Sequence, residues 1–153
     1  MKQYTLTYSC VIEAPREDVC AFHTNTHNLP LITPPSIGVT IIMKEKEYVI
    51  LDIKRLGITT RWEMALEINC PQTITDTMIK GPFSYFKHER MFHIKTDHQT
   101  LMQESITFAS PIPILESLFA WFVQKDMDAM FAYRHRMTQD YFRSKTSATL
   151  NDT

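Results

Sequence analysis

ILESLFAWFVQKDMDAMFAYRHRMTQDYF, from Ile114 to Phe142, contains neither Pro nor Gly. Phe119, Val123, Met127, Met130, Met137 and Tyr141 recur along it in steps of three and four, the spacing of one face of an α-helix. The stretch predicts a single long amphipathic helix. Such a helix is stable only where its apolar face meets another apolar surface, so the rest of the chain must provide one.

That surface lies upstream. From Ile37 to Ala109 the chain reads as six strands: Ile37 to Lys44, Tyr48 to Leu56, Ile58 to Asn69, Thr73 to Lys80, Ser84 to Thr96 and Thr100 to Ala109. The breaks at Glu45 to Glu47, Gly57, Cys70-Pro71, Gly81-Pro82 and Asp97-His98 are short. Short breaks make hairpins, and successive hairpins make an antiparallel meander. A further strand is expected over Tyr4 to Glu13, where Tyr4, Leu6, Tyr8, Cys10 and Ile12 alternate with Thr5, Thr7, Ser9 and Val11. Pro15 suits the first turn of a helix. Glu17 and Asp18 sit where the helix dipole favours negative charge. Thr26 to Ile32 predicts a second short helix, limited by Pro30, Pro34 and Pro35. The order is one strand, two short helices, six strands and one long helix: an α+β class with a sheet of about seven strands.

The segment GPFSYFKHERMF, Gly81 to Phe92, resembles the Gly-Pro-aromatic, His, aromatic stretch of the polyketide cyclase/dehydrase-like branch of the SRPBCC/START superfamily. Ile12-Glu13-Ala14-Pro15, Asn28-Leu29-Pro30, Trp62 and Phe131-Ala132-Tyr133-Arg134 resemble further pieces of that family, in the same order. The resemblance spans Thr5 to Phe142. It implies a helix-grip fold, in which a curved antiparallel sheet wraps the C-terminal helix and a deep cavity lies between them. Residues 1–143 would form that ligand-binding domain, and 144–153 a polar, disordered tail. Relatives often carry His at the place of Arg90 and Asp at the place of Glu104. Members bind lipids, hormones, quinones or polyketides, and only some are catalysts, so the fold does not choose the function.

Strand parity predicts the lining. A hairpin at Gly81 to Phe83 sets Asp76 opposite His88 and Met78 opposite Phe86. One at Cys70-Pro71 sets Trp62 opposite Met78 and Met64 opposite Asp76. One near His98 sets Glu104 beside Arg90 or Phe92. One face then carries Trp62, Met64, Ile74, Met78, Phe86, Phe92, Ile94, Ile106 and Phe108. It also carries Asp76, His88, Arg90 and Glu104. From the helix, Met130 and Arg134 point to the same space. Buried charges are costly unless paired. These groups therefore either pair internally, as Asp76–His88 and Glu104 with Arg90 or Arg134, or hold the polar end of a ligand. His88 beside Asp76 is also a candidate acid/base, since a carboxylate orients an imidazole and favours its protonated form. His23 and His27 have the i, i+4 spacing of helical metal ligands. With no third ligand in the pattern, they read as solvent-exposed.

The remaining features exclude functions. The chain has 153 residues and a formal net charge of −1. Domains of this size bury roughly 70% of their unfolded surface and need no metal or disulfide to fold. Near-neutrality and the lack of a basic run exclude a nucleic-acid partner. Three glycines, none clustered, exclude a phosphate-cradling loop, and no cofactor is expected. Cys10, Cys20 and Cys70 read as reduced thiols. The N-terminal MKQYTLTYSC lacks an apolar run, and no membrane span is present. The setting expected is cytoplasmic. Oligomeric state is not set by the sequence. The expected partner is an apolar small molecule. Two alternatives stay open: a cyclase/dehydrase-type enzyme using His88, and an interaction module with a filled core.

Overall fold

In the computed structural model, which describes residues 1–152, alternation turns into strands where the pattern places them. The strands are β1 (Gln3–Ile12), β2 (Ile37–Glu45), β3 (Tyr48–Arg55), β4 (Ile58–Asn69), β5 (Thr73–Lys80), β6 (Tyr85–Thr96) and β7 (Gln99–Ala109). They form one antiparallel sheet in the order β1-β7-β6-β5-β4-β3-β2. β1 and β2 are therefore opposite edges. The chain between them crosses the sheet as α1 (Arg16–Thr24) and two 3₁₀ turns, Thr26–Asn28 and Pro30–Ile32. The second short helix expected over Thr26 to Ile32 is thus two separate turns, because Pro30 cannot continue the first.

Two of the three hairpins that set the predicted lining keep the expected register. Asp76 pairs with His88, and Arg90 with Glu104. The β5–β6 ladder ends at Thr77–Lys87, one step short of the expected Met78–Phe86 pair. The β4–β5 hairpin differs: Met64 pairs with Met78 and Leu66 with Asp76. Its turn closes with the Gln72 amide donating to the Asn69 carbonyl, two residues away in register from a turn centred before Pro71. A shift of two preserves which face each side chain takes. The β3–β4 connection is the two-residue turn Leu56-Gly57, with φ of 50° and 78°. Both residues adopt the left-handed conformation that a tight hairpin of this kind needs. Leu56 is an unusual choice there, and it is almost fully exposed.

The long helix, α2 (Glu116–Asn151), grips the concave face. It continues past Ser144, where the sequence reading begins a disordered tail. Thr146, Ser147 and Thr149 each donate a hydroxyl hydrogen bond to the carbonyl four residues back, and no Pro or Gly interrupts them. Thr153, the end of that expected tail, lies outside the described residues.

Cys20 and Cys70 are not the reduced thiols expected. They form a disulfide, with Cα atoms 5.8 Å apart and a sequence separation of 50. α1 packs on β5, β6 and β7, which brings Cys20 to the β4–β5 turn. This proximity exists only in the folded chain. The bond removes the support that reduced thiols gave to a cytoplasmic setting. Cys10 alone is free. Its thiol is pushed up to about 12 by burial and then by the Glu104 charge, which disfavours the thiolate. Among the described residues no helix is long and apolar enough to cross a membrane.

Candidate functional site

Between α2, α1 and the concave sheet lies a cavity of about 630 Å³, within the range of small-molecule sites. Alternate residues of β3 and β4 form its floor: Val49, Leu51 and Ile53, then Trp62, Met64 and Leu66. Phe119, Val123, Met127 and Met130 of α2 form its roof. Trp62 meets Phe86 edge-to-face at 5.1 Å, and its ring N–H donates to the Thr60 hydroxyl at 3.1 Å. At the rim, Arg55 of β3 and Asp126 of α2 form an ion pair beside the exposed side chains of Leu56, Ile58 and Phe122.

Five ionisable residues gather at one end, apart from the Arg55–Asp126 pair at the rim. Asp76, His88 and Arg90 come from β5 and β6, Arg134 from α2 and His23 from α1. The pairing differs from that expected. Arg90 takes Asp76 as its ion-pair partner. His88 presents Nε2 to Glu104 Oε2 at 2.6 Å, and its Nδ1 stands 3.6 Å from Asp76. The other Glu104 oxygen receives His135 Nε2 at 2.6 Å. A carboxylate only accepts, so both imidazoles are assigned as Nε2–H donors. Burial alone would raise the Glu104 carboxyl. The hydrogen bonds from His135 and His88 outweigh it and hold the group well below its ordinary 4.5. Glu104 is 1% exposed and sits behind His88 rather than in the cavity.

Of the residues expected to line the space, Trp62, Met64, Ile74, Phe86, Asp76, His88, Arg90, Met130 and Arg134 do so. Five do not. Phe92 packs in a second cluster with Ile12, Val19, Phe22 and Met102. Ile106 and Phe108 are wholly buried on β7 under α2. Glu104 is spent on the two histidines. Met78 is half-buried beside Gly81, where an added Cβ would stand 2.5 Å from its sulfur. Parity gives each of these five the right face of the sheet, but α2 or a neighbouring side chain covers it. Ile94, also assigned to that face, lies near the end of β6 and is exposed.

His135 escapes the sequence reading because the most buried stripe of α2 is Ala120, Val123, Met127, Phe131, His135, Thr138 and Phe142. In its second half this stripe runs one residue C-terminal to the predicted one. The apolar ends Phe131 and Phe142 at helical spacing are the signal that could have found it. His23 also differs from expectation. It lines the cavity, and its Nε2 is buried without a hydrogen-bond partner. Burial, then the Arg90 charge, lowers it to about 3, so it is neutral. His27 is exposed as expected. Among the described residues no three His, Cys, Asp or Glu side chains are arranged to hold a metal ion.

Similar folds occur among solved structures. The Zhui aromatase/cyclase from Streptomyces sp. R1128 superposes with a TM-score of 0.75 at 10% identity, over 95% of this chain and 96% of its own. A START superfamily protein from Mycobacterium smegmatis gives 0.73 at 12% identity, over 90% and 98%. Norcoclaurine synthase from Thalictrum flavum, solved with dopamine and hydroxybenzaldehyde, gives 0.68 at 11%, over 91% and 88%. At such identities the likeness is one of fold. No curated protein matches the sequence. The family model described as polyketide cyclase / dehydrase and lipid transport matches residues 12–132, from the end of β1 to the middle of α2; this chain, with its sheet gripped on one long helix over an apolar cavity, belongs to that family.

Proposed function

We propose that this protein binds an apolar small molecule, of lipid, quinone or polyketide-like character, in the cavity between the sheet and α2. The observation that carries the reading is the cavity itself: about 630 Å³, walled largely by aliphatic, aromatic and methionine side chains, with a cluster of ionisable groups at one end and the Arg55–Asp126 pair at the rim. Methionines at 64, 127 and 130 give the wall adaptable shape. A cavity of this size counts against a filled-core interaction module.

Native mass spectrometry of the purified protein, with organic extraction of its contents, tests the reading. A co-purifying apolar molecule is expected, lost in Trp62→Arg. A clean apo mass with no shift against lipids, quinones and aromatic polyketides would refute it.

A second reading has its own observation. His88 lines the cavity with Nε2–H held by Glu104, which leaves the Nδ1 lone pair as the proton acceptor and a carboxylate to stabilise the imidazolium. That is the arrangement of an oriented general base. An imidazole held in this way can take a proton from a molecule bound in the cavity. No Ser, Thr or Cys is hydrogen-bonded to His88 among the described residues, so a covalent intermediate has no nucleophile there. In this reading His88→Gln keeps ligand binding and abolishes turnover. Unchanged turnover removes His88 from the chemistry.

A further inference from the structure

At the polar end of the cavity the charges are unequally provided for. Asp76 is held by Arg90. Both oxygens of Glu104 are taken by imidazoles. Arg134 is different. Among the described residues its guanidinium enters no ion pair and no side-chain hydrogen bond, and its Nε is buried without a partner. The guanidinium lies over the Phe131 ring, 5.3 Å from its centroid. Burial draws the group down from its ordinary value, although the Glu104 and Asp76 charges oppose that from a distance. An arginine nonetheless remains a cation, and a buried cation without a bonded partner is costly.

The orphaned atoms converge. Arg134 Nε, Arg90 Nε and His23 Nε2 are all buried and unpartnered, and all three side chains line the same cavity. They come from three different elements, α2, β6 and α1, and meet at this space. A planar guanidinium fork matches a carboxylate oxygen pair. Neutral His23 can turn either a donor or an acceptor nitrogen toward the same group. One cation without a bonded anion suits a monoanion better than a phosphate dianion.

We propose that the ligand of this cavity is an apolar acid, its carboxylate, or ionised enol or phenol, seated on Arg134 while its apolar body lies against Leu51, Trp62 and Met64. The proposal rests on the ligand-binding reading above and narrows it to one chemical class.

Matched probes separate the two claims. Dodecanoate is compared with dodecan-1-ol, and anthracene-2-carboxylate with anthracene-2-methanol, by calorimetry on the full chain at neutral pH. Each acid should bind about tenfold or more tightly than its alcohol, the value of a charge-assisted hydrogen bond. Arg134→Met should erase that preference while alcohol affinity stays within about twofold. Retained alcohol binding also shows that the variant is folded. Arg134→Lys, which keeps the charge and loses the fork, should retain part of the preference. If acid and alcohol bind alike and Arg134→Met changes neither, the acid proposal is overturned while the apolar-cavity reading stands. If none of the four binds, both fall.

Discussion

The concave face of the sheet has two halves, built from the same alternation and finished differently. Over β1 and β7 it is full. Phe108, Ile106 and Met102 are 0% exposed, and Tyr8 stacks on Phe131 at 4.7 Å. α2 lies directly on this half. Over β3 and β4 the inward residues Leu51, Trp62 and Met64 face a void of about 630 Å³ instead. Both halves present large apolar side chains to the inside. The difference is distance from the helix, since a helix is only about 10–12 Å wide with its side chains and cannot cover a seven-stranded sheet. The filled half is packed core, and the open half leaves the space in which we propose that a ligand binds.

Truncation on each side is the strongest way to break this contrast. Phe108→Ala should cost about 3–5 kcal/mol, because it empties a fully packed site. Trp62→Ala should cost clearly less, since a side chain bordering a void already lacks partner atoms on one side. It should instead weaken ligand binding. Urea unfolding and a binding titration on both variants measure the pair. Equal stability losses would show that the halves are not distinct.

Glu104 lies at the seam, joined to His88 on the open side and to His135 under the helix. Glu104→Ala should cost about 3 kcal/mol or more, because two buried donors lose a charged acceptor. The ionised carboxylate is favoured in the fold. Its contribution is therefore complete above the unfolded value of 4.5 and lost as pH falls below that toward the folded value. Stability that is unchanged in Glu104→Ala would mean the seam holds nothing together.

His23 sharpens the open side with a smaller effect. The charges of Arg90, Glu104, Arg134 and His88 act on it, and burial above all takes it to about 3 in the fold against 6.5 unfolded. A lowered histidine leaves the unfolded chain binding the extra proton. Stability is complete above 6.5 and falls by about 1.4 kcal/mol per pH unit between there and about 3. Between pH 7 and 5 this amounts to about 2 kcal/mol, and His23→Gln should remove that part of the slope. An identical slope in the variant would place His23 in water.

The fold was legible because its signals are local. The period of two over Tyr48 to Ala109, the short breaks between those strands and the Pro- and Gly-free helix each specify an element from neighbouring residues. Strand parity also survived the two-residue offset at Cys70-Pro71, since only an odd shift turns a face over. The pairing of the polar set was less legible. Asp76 and His88 are opposite each other as expected, yet their side chains choose other partners, Arg90 and Glu104. Register fixes Cα neighbours, and rotamers then select among several partners in reach.

The sequence by itself determined seven strands, one long helix, and the face on which Trp62, Asp76, His88 and Glu104 lie. Only the tertiary structure decided that Glu104 and Phe108 are covered while Trp62 and Arg134 meet open space. It alone joined Cys20 to Cys70 and turned His135 inward. Periodicity records which side of an element is apolar. How far a rigid helix reaches across a curved sheet depends on where every element is placed, and that placement is a property of the whole packed chain.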